Sequence, residues 1–250
     1  MEISGAKELM RKYPHGYLEL CQTESKDAAY QIHLDLNRTF PDNERFCNFE
    51  GEKIKKELSE VLHAVAIKHP EVGYCQGLNY LAGMLLLIVK SPEKAFWLLE
   101  TVLIQLPDYY DSNLSGIKVD LDVCRDLLKQ KDSELDKFLQ HHDFDLSLVA
   151  QKWFICWYLE SLPVETVLRI WDCLFHEGPK ILFRVALTLI IKNRRKILQC
   201  KGFAQLVDYF QKLKEDNSVL MCHNLMEDIF RVPDPISWRT IQELRQKHKI

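Results

Sequence analysis

Residues 54–65 read I-K-K-E-L-S-E-V-L-H-A-V. The apolar residues of this stretch recur at intervals of three and four: Ile54, Leu58, Val61, Leu62 and Val65. Because residues three and four apart lie one above another on a helix, this spacing collects them on one face. The charged residues between them would face water. The stretch therefore predicts an amphipathic α-helix that packs against a core.

The same period continues along the chain, and no convincing stretch alternates in the manner of a β-strand. Helix starts are indicated where a capping residue or glycine precedes a proline, as at Ser91-Pro92, Gly178-Pro179 and Asp234-Pro235. We predict an all-α chain without significant β-sheet. Its expected helices are 6–12, 26–38, 50–69, 75–90, 92–105, 116–130, 132–141, 147–160, 164–176, 179–198, 202–214, 218–230 and 235–247.

The 250 residues are 47% hydrophobic, which is enough for a sizeable core. No long linker and no repeat of fixed length divides them, and this disfavours a helical solenoid. Four of the five tryptophans follow Lys131. We therefore predict one domain over 1–250 with two helical lobes, an N-terminal lobe of about 1–130 and a C-terminal lobe of about 131–250.

Charge and location are constrained by composition. The net charge is −3, whereas a general nucleic-acid-binding protein would carry a basic surplus. The longest apolar run, residues 80–89, is too short to span a bilayer, and residues 1–12 do not resemble a secretory signal. The 8 cysteines are scattered without a C-x-x-C pair, which is typical of reduced thiols. These features predict a cytoplasmic protein without a transmembrane segment.

Common catalytic motifs are missing from the sequence. There is no phosphate-binding G-x-x-x-x-G-K-S/T loop, and this argues against GTP binding by the chain alone. His141, His142, Asp143 and Asp145 cluster at a predicted helix end, where such residues cap and solvate the turn, so no metal site is predicted. The basic run K-N-R-R-K at 192–196 has two interpretations: a solvated helix C-terminus, or a surface that contacts phospholipid or a GTPase.

Two short segments carry side chains suited to chemistry. Residues 32–41 read I-H-L-D-L-N-R-T-F-P, and Asp35 lies one turn before Arg38 near the end of a helix, where it can hold the guanidinium. Residues 73–79 read G-Y-C-Q-G-L-N, so Gln76 lies near a helix N-terminus, a position suited to anions. Taken alone, the first segment is also an ordinary helical ion pair and the second a capping amide.

Together the two segments resemble the TBC domain, a family of Rab GTPase-activating proteins whose marker motifs are I-x-x-D-x-x-R and Y-x-Q. Both motifs are intact and in the family's order. The resemblance continues in L-P-V-E-T-V-L-R-I-W-D-C-L-F-H-E-G at 162–178 and F-R-V-A-L-T-L at 183–189. Leu78 departs from the methionine that is commoner in the family, which is nearly a volume-conserving exchange.

The resemblance implies an all-α, two-lobed Rab GAP domain that acts in vesicle trafficking. It implies that Arg38 and Gln76 enter the active site of a GTP-bound Rab as an arginine finger and a glutamine finger. Asp35 and Ile32 would orient the arginine, while Tyr74 and Asn79 would support the site or contact the GTPase. The chain would not be an enzyme by itself and would need no cofactor, since GTP and Mg²⁺ belong to the partner. Membrane contact would come only through the Rab.

The sequence leaves two alternatives open. One is a TBC-fold scaffold that binds a GTPase or another partner without accelerating hydrolysis. The other is an all-helical scaffold whose exposed apolar groove binds a partner helix or peptide.

Overall fold

A computed structural model of the chain describes residues 2, 4–23, 26–48, 51–106, 108–216, 221–232 and 236–249. The chain is 72% helical, and the described residues contain no strand. The predicted all-α class is therefore confirmed. The chain divides into two compact units, Met1–Ser115 and Gly116–Ile250.

The first unit contains seven described helices: α1 (Ala6–Lys12), α2 (Gly16–Cys21), α3 (Lys26–Arg38), α4 (Glu44–Cys47), α5 (Gly51–Lys68), α6 (Leu78–Val89) and α7 (Pro92–Leu103). The sequence predicted five of them and missed α2 and α4. These two are 6 and 4 residues long, which is too short for a period of 3.6 residues to show.

Helix α5 lies at the centre of this unit and packs against α2, α3, α4, α6 and α7. Its apolar stripe is buried as predicted, and Leu58, Val61 and Val65 are completely inaccessible to solvent. Helix α7 begins at Pro92, where the Ser91 hydroxyl accepts a hydrogen bond of 3.4 Å from the backbone N–H of Lys94. This is the cap that the Ser-Pro pair predicted.

Helix α6 packs closely against the segment that follows α3. A Cβ atom at Gly83 would lie 3.1 Å from a ring carbon of Phe40 and 3.2 Å from the methyl carbon of Thr39. Glycine therefore permits the side chains of Thr39 and Phe40 to pack directly against the backbone of α6. This contact brings the end of α3 next to the helix that follows Gln76.

The second unit contains nine described α-helices: α8 (Ser115–Lys131), α9 (Ser133–His141), α10 (Ser147–Ile155), α11 (Val164–Glu177), α12 (Lys180–Lys192), α13 (Arg194–Ile197), α14 (Phe203–Gln211), α15 (Cys222–Arg231) and α16 (Trp238–His248). Helix α12 packs against α10, α11, α13 and α15. Trp171 is 2% exposed and donates its indole N–H to the carbonyl of Trp157 at 3.0 Å. Trp171 thus packs in the core of this unit, whereas the neighbouring Asp172 is exposed.

The two units meet in sequence at Ser115–Gly116, earlier than the boundary near residue 130 that tryptophan content suggested. Helix α8 thus belongs with the second unit. The physical reason is its buried Asp120, which pairs with Arg245 on the last helix through two hydrogen bonds of 2.6 Å. Composition does not reveal a partner so distant in sequence.

Replacing Arg245 with methionine is expected to destabilise the second unit by about 3 to 5 kcal/mol, because it leaves the Asp120 carboxylate buried without a charged partner. Urea unfolding would measure the loss. Arg239→Met is the control, since Arg239 pairs with Glu243 on the same helix but its side chain is 88% exposed. Equal stability of the two variants would show that the buried pair contributes no more than the exposed one.

All eight cysteines lie in the described part of the chain and are free thiols. Cys124 and Cys156 are buried, whereas Cys21 and Cys47 are exposed. Among the described residues, no helix is long and apolar enough to cross a membrane.

Candidate functional site

The first component of the site is the C-terminal end of α3, which ends at Arg38. Ile32 and Asp35 are completely buried, and the side chain of Arg38 is 46% exposed. A guanidinium nitrogen of Arg38 lies 2.5 Å from Oδ1 of Asp35. The buried carboxylate therefore restrains the guanidinium at the surface, one turn along the helix, as the spacing predicted.

Two further donors reach the carboxylate of Asp35. The hydroxyl of Tyr74 donates to Oδ2 at 2.5 Å, and the amide of Gln31 lies 3.5 Å from Oδ1. These bonds offset the cost of burying a charged group. Burial raises the pKa of Tyr74, and the adjacent Asp35 carboxylate raises it further. The phenol thus stays protonated and remains a donor at neutral pH.

The second component is the turn that carries Gln76 between α5 and α6. Gln76 is exposed, and Gly77 follows it with φ = 113°, a conformation that residues with a Cβ rarely adopt. The backbone N–H of Gly77 donates to Oδ1 of Asn79 at 3.0 Å. Asn79 is completely buried. The peptide next to Gln76 is thus held by a side chain inside the core.

A chain of hydrogen bonds joins the two components. The amide nitrogen of Asn79 donates to the hydroxyl of Thr39 at 2.8 Å, and that hydroxyl donates to the carbonyl of Asp35 at 2.7 Å. Thr39 is 1% exposed. A buried polar network in which each member is bonded rigidifies its surroundings. The turn of Gln76 and the last turn of α3 are therefore fixed to one another.

The motif residues did not indicate Thr39 or Tyr80 as parts of the site. The hydroxyl of Tyr80 lies 3.5 Å from the carbonyl of Arg38. The bonds from Asn79 to Thr39 and from Tyr80 to Arg38 each join residues about forty positions apart, so local spacing in the sequence does not indicate them. Asn79 was predicted either to support the site or to contact the GTPase. Because Asn79 is buried, the structure favours the supporting role.

The helix after Gln76 begins at Leu78, later than predicted. The backbone N–H of Gly77 is taken by Asn79, and that of Leu78 donates to the carbonyl of Cys75 at 3.2 Å. These donors are occupied internally, so the helix start is less open to an anion than the sequence suggested. Burial raises the pKa of Cys75 to about 11, which keeps a neutral thiol next to Gln76.

Other clusters in the sequence do not form sites in the described residues. No group of three or more His, Cys, Asp or Glu side chains is placed to hold a metal ion there, including the cluster at 141–145. In the basic run at 192–196, three of the four cations are paired with acids of the same unit: Lys192 with Asp228, Arg194 with Asp132 and Glu134, and Lys196 with Asp216. Of the two interpretations of this run, these internal ion pairs favour the solvated helix end over a contact surface.

The sequence profile of the Rab-GTPase-TBC domain matches residues 3–198 of the chain. The chain belongs to this TBC domain family. Growth hormone-regulated TBC protein 1 of Xenopus tropicalis is 41% identical over 254 residues, covering 100% of this chain and 74% of that protein. The human protein of the same name is 40% identical over 248 residues, with 98% and 74% covered.

Solved structures agree with the assignment. The Chlamydomonas flagellar RabGAP TBC domain is 30% identical, with a TM-score of 0.79 over 93% of this chain and 78% of that one. The Ypt/Rab-GAP domain of Gyp1p has a TM-score of 0.73 over 98% and 82% of the two chains, and at 19% identity it shows the fold alone. Membership in the TBC family implies a Rab GTPase as partner.

Proposed function

We propose that this TBC domain is a GTPase-activating protein that inserts Arg38 and Gln76 into the nucleotide site of a GTP-bound Rab. Neither residue would act on a substrate of this chain. They would complete the active site of the partner, which supplies GTP and Mg²⁺. The chain is thus an activator, with no cofactor of its own.

Arginine suits the first role because negative charge develops on the transferred phosphoryl group during GTP hydrolysis. A planar guanidinium donates several charge-assisted hydrogen bonds to those oxygens. Arg38 meets this need with an exposed side chain that is held at its base by Asp35. A restrained arginine loses less conformational entropy when it enters the partner's site.

Glutamine suits the second role because its carboxamide both accepts and donates hydrogen bonds and stays neutral at every working pH. It can accept a hydrogen bond from the attacking water and donate one toward the phosphate. Gln76 is exposed on a turn whose following peptide is anchored by Asn79. The turn therefore presents the carboxamide to a partner from a fixed backbone.

The observation that carries the proposal is the buried hydrogen-bond chain from Asp35 through Thr39 and Asn79 to Gly77. It fixes the backbones of the two exposed side chains relative to one another. Catalysis by two groups on one transition state requires such mutual positioning, since errors of about 1 Å cost up to roughly 100-fold in rate. An ordinary helical ion pair and an isolated capping amide would not need this connection.

The proposal is tested by phosphate release from a panel of purified, GTP-loaded Rab GTPases with and without the chain. We expect at least one Rab to be accelerated well above its intrinsic rate. Binding to a GTP-loaded Rab without acceleration across the panel would support the non-catalytic scaffold instead. Capture of an amphipathic helix with no Rab binding would support the groove-binding alternative.

Replacing Thr39 with valine tests the connection itself. Valine has nearly the same shape but leaves the amide of Asn79 without its acceptor, so we expect a loss of about 1 to 3 kcal/mol in stability. We also expect kcat for the activated reaction to fall while KM for the Rab changes little, because the exposed surface is unaltered. Thr39→Ser, which keeps the hydroxyl, should retain most of the activity. Equal kcat for the valine and serine variants would contradict the connection.

A further inference from the structure

The turn that carries Gln76 is also anchored at its beginning, by His69. The backbone carbonyl of His69 accepts hydrogen bonds from the N–H groups of Val72 and Gly73, at 2.9 and 2.8 Å. These bonds fold the first half of the segment between α5 and α6. The segment is therefore held at both ends, by His69 at the start and by Asn79 at the finish.

The imidazole of His69 lies between two carboxylates. Its Nε2 is 2.8 Å from Oε2 of Glu100, and its Nδ1 is 3.2 Å from Oε1 of Glu71. Glu100 belongs to α7 and is only 2% exposed, whereas Glu71 is 67% exposed in its side chain. The pair with Glu100 is thus shielded from solvent, unlike an ordinary surface ion pair.

Glu100 also pairs with Lys68, whose ammonium lies 3.6 Å from Oε1. A carboxylate as deeply buried as Glu100 needs such partners, because desolvation would otherwise be costly. Lys68 directly precedes His69, so two consecutive side chains at the end of α5 pair with the same carboxylate on α7. This arrangement fixes where the turn leaves the helix.

We infer that His69 and Glu100 are positioning residues for Gln76, which hold the start of its turn against α7 so that the glutamine meets the partner's nucleotide in one orientation. This inference rests on the proposed function of Gln76. Neither residue would touch the nucleotide. Their effect on hydrolysis would pass entirely through the turn.

A dependence on pH follows from the chemistry of the imidazole. Glu100, by its hydrogen bond, is the main cause that raises the pKa of His69 above the ordinary value of 6.5, and Glu71 adds to it. Only the protonated ring carries an N–H toward each carboxylate. The pairing is complete below the raised pKa and is lost as the pH increases through it, so the activated rate should fall in that direction.

Among the residues that the structure describes, further charged groups around His69 are Lys68, already described, and Asp108 and Asp111. The two aspartates line, with His69 and Glu71, a cavity of about 220 Å³. Tyr109 and Tyr110 line it as well. Burial of the imidazole acts in the opposite direction and lowers the pKa of His69, but Glu100 and Glu71 together outweigh it.

The test is single-turnover GTP hydrolysis by a responsive Rab, with the intact chain and with Glu100→Gln, across pH 6 to 9. We expect the variant to lower kcat roughly 10- to 100-fold with little change in KM. The fall of activity should also move to lower pH, because the neutral amide no longer favours the imidazolium. His69→Gln, which keeps a donor near the position of Nε2, should retain more activity than His69→Ala and lose the pH dependence.

A double-mutant cycle separates positioning from general damage. If Glu100 acts through Gln76, Glu100→Gln should cause no further loss in a chain that already carries Gln76→Ala. His63→Gln is the matched control, since His63 lies on α5 and bonds to the carbonyl of Ser59 at 2.8 Å, away from the turn.

The outcomes distinguish the inference from the proposed function. The inference would be overturned if the fold-losses in rate from Glu100→Gln and Gln76→Ala multiply fully in the double variant. It would also be overturned if the pH profile of Glu100→Gln is unchanged. Either result would leave the proposed function intact. No loss from Gln76→Ala itself would contradict the proposed function directly.

Discussion

Replacing Arg38 with alanine is expected to reduce the activated rate of GTP hydrolysis by about 10³- to 10⁵-fold, which corresponds to roughly 4 to 7 kcal/mol of barrier. The reason is that the variant removes the guanidinium that would neutralise charge on the transferred phosphoryl group. The measurement is phosphate release under single turnover with a saturating, responsive Rab. Asp35 keeps its hydrogen bonds from Tyr74 and Gln31 in the variant but loses its cation, so urea unfolding of the variant is measured alongside the rate.

Two further variants refine this expectation. Arg38→Lys keeps the charge but loses the planar fork, so most of the rate should still be lost. Asp35→Asn should reduce the rate less than Arg38→Ala, because the guanidinium remains but is restrained less firmly. Arg239→Ala serves as the control for an exposed helical arginine with a carboxylate partner. A rate for Arg38→Ala within a factor of about three of the control would be incompatible with an arginine finger.

Replacing Gln76 with glutamate is expected to lower the activated rate by roughly 10²- to 10³-fold. Glutamate has nearly the same shape, so the turn should keep its structure. The new carboxylate cannot donate toward the phosphate and repels its negative charge. Gln130→Glu is a suitable control, since Gln130 is an exposed glutamine in the second unit.

The glutamate variant should also distinguish catalysis from binding. A change that acts in the transition state lowers kcat and kcat/KM together, whereas a change in partner contact raises KM alone. Repulsion between the new carboxylate and GTP would affect both kcat and KM, so the neutral variant Gln76→Ala is measured beside Gln76→Glu. If the alanine variant raises only KM, Gln76 contacts the Rab without aligning the water.

Local patterns in the sequence predict much of the fold. The stripe from Ile54 to Val65 is buried, and the helix that starts at Pro92 begins where its cap indicated. These features depend on residues a few positions apart, whose geometry the helical period determines. The short helices α2 and α4 could not be predicted in this way, because one or two helical turns are too short to show a period.

Contacts between distant residues could not be predicted in the same way. The bond from Asn79 to Thr39 spans forty residues, and the pair of His69 and Glu100 joins α7 to the end of α5. Such pairings depend on how helices pack, which composition does not encode. The buried pair of Asp120 and Arg245 assigns α8 to the second unit for the same reason.

The two candidate fingers were found from their motifs, but the motifs do not explain how they are held. Asp35 was predicted beside Arg38 from helical spacing, and the structure adds Tyr74 as a second partner of the same carboxylate. Tyr74 directly precedes Cys75 and Gln76 in the turn. The side chains of the Y-x-Q and I-x-x-D-x-x-R segments are therefore bonded to one another, in addition to the hydrogen-bond chain through Thr39 and Asn79.

The most direct test of the central claim uses a responsive Rab whose own catalytic glutamine has been replaced by alanine. If Gln76 aligns the attacking water in trans, the chain should still accelerate hydrolysis by this Rab, and Gln76→Ala should abolish the acceleration. Failure of the unaltered chain to accelerate the modified Rab, while it accelerates the unmodified one, would contradict the account. The partner's own glutamine would then align the water, and Gln76 would have no catalytic role.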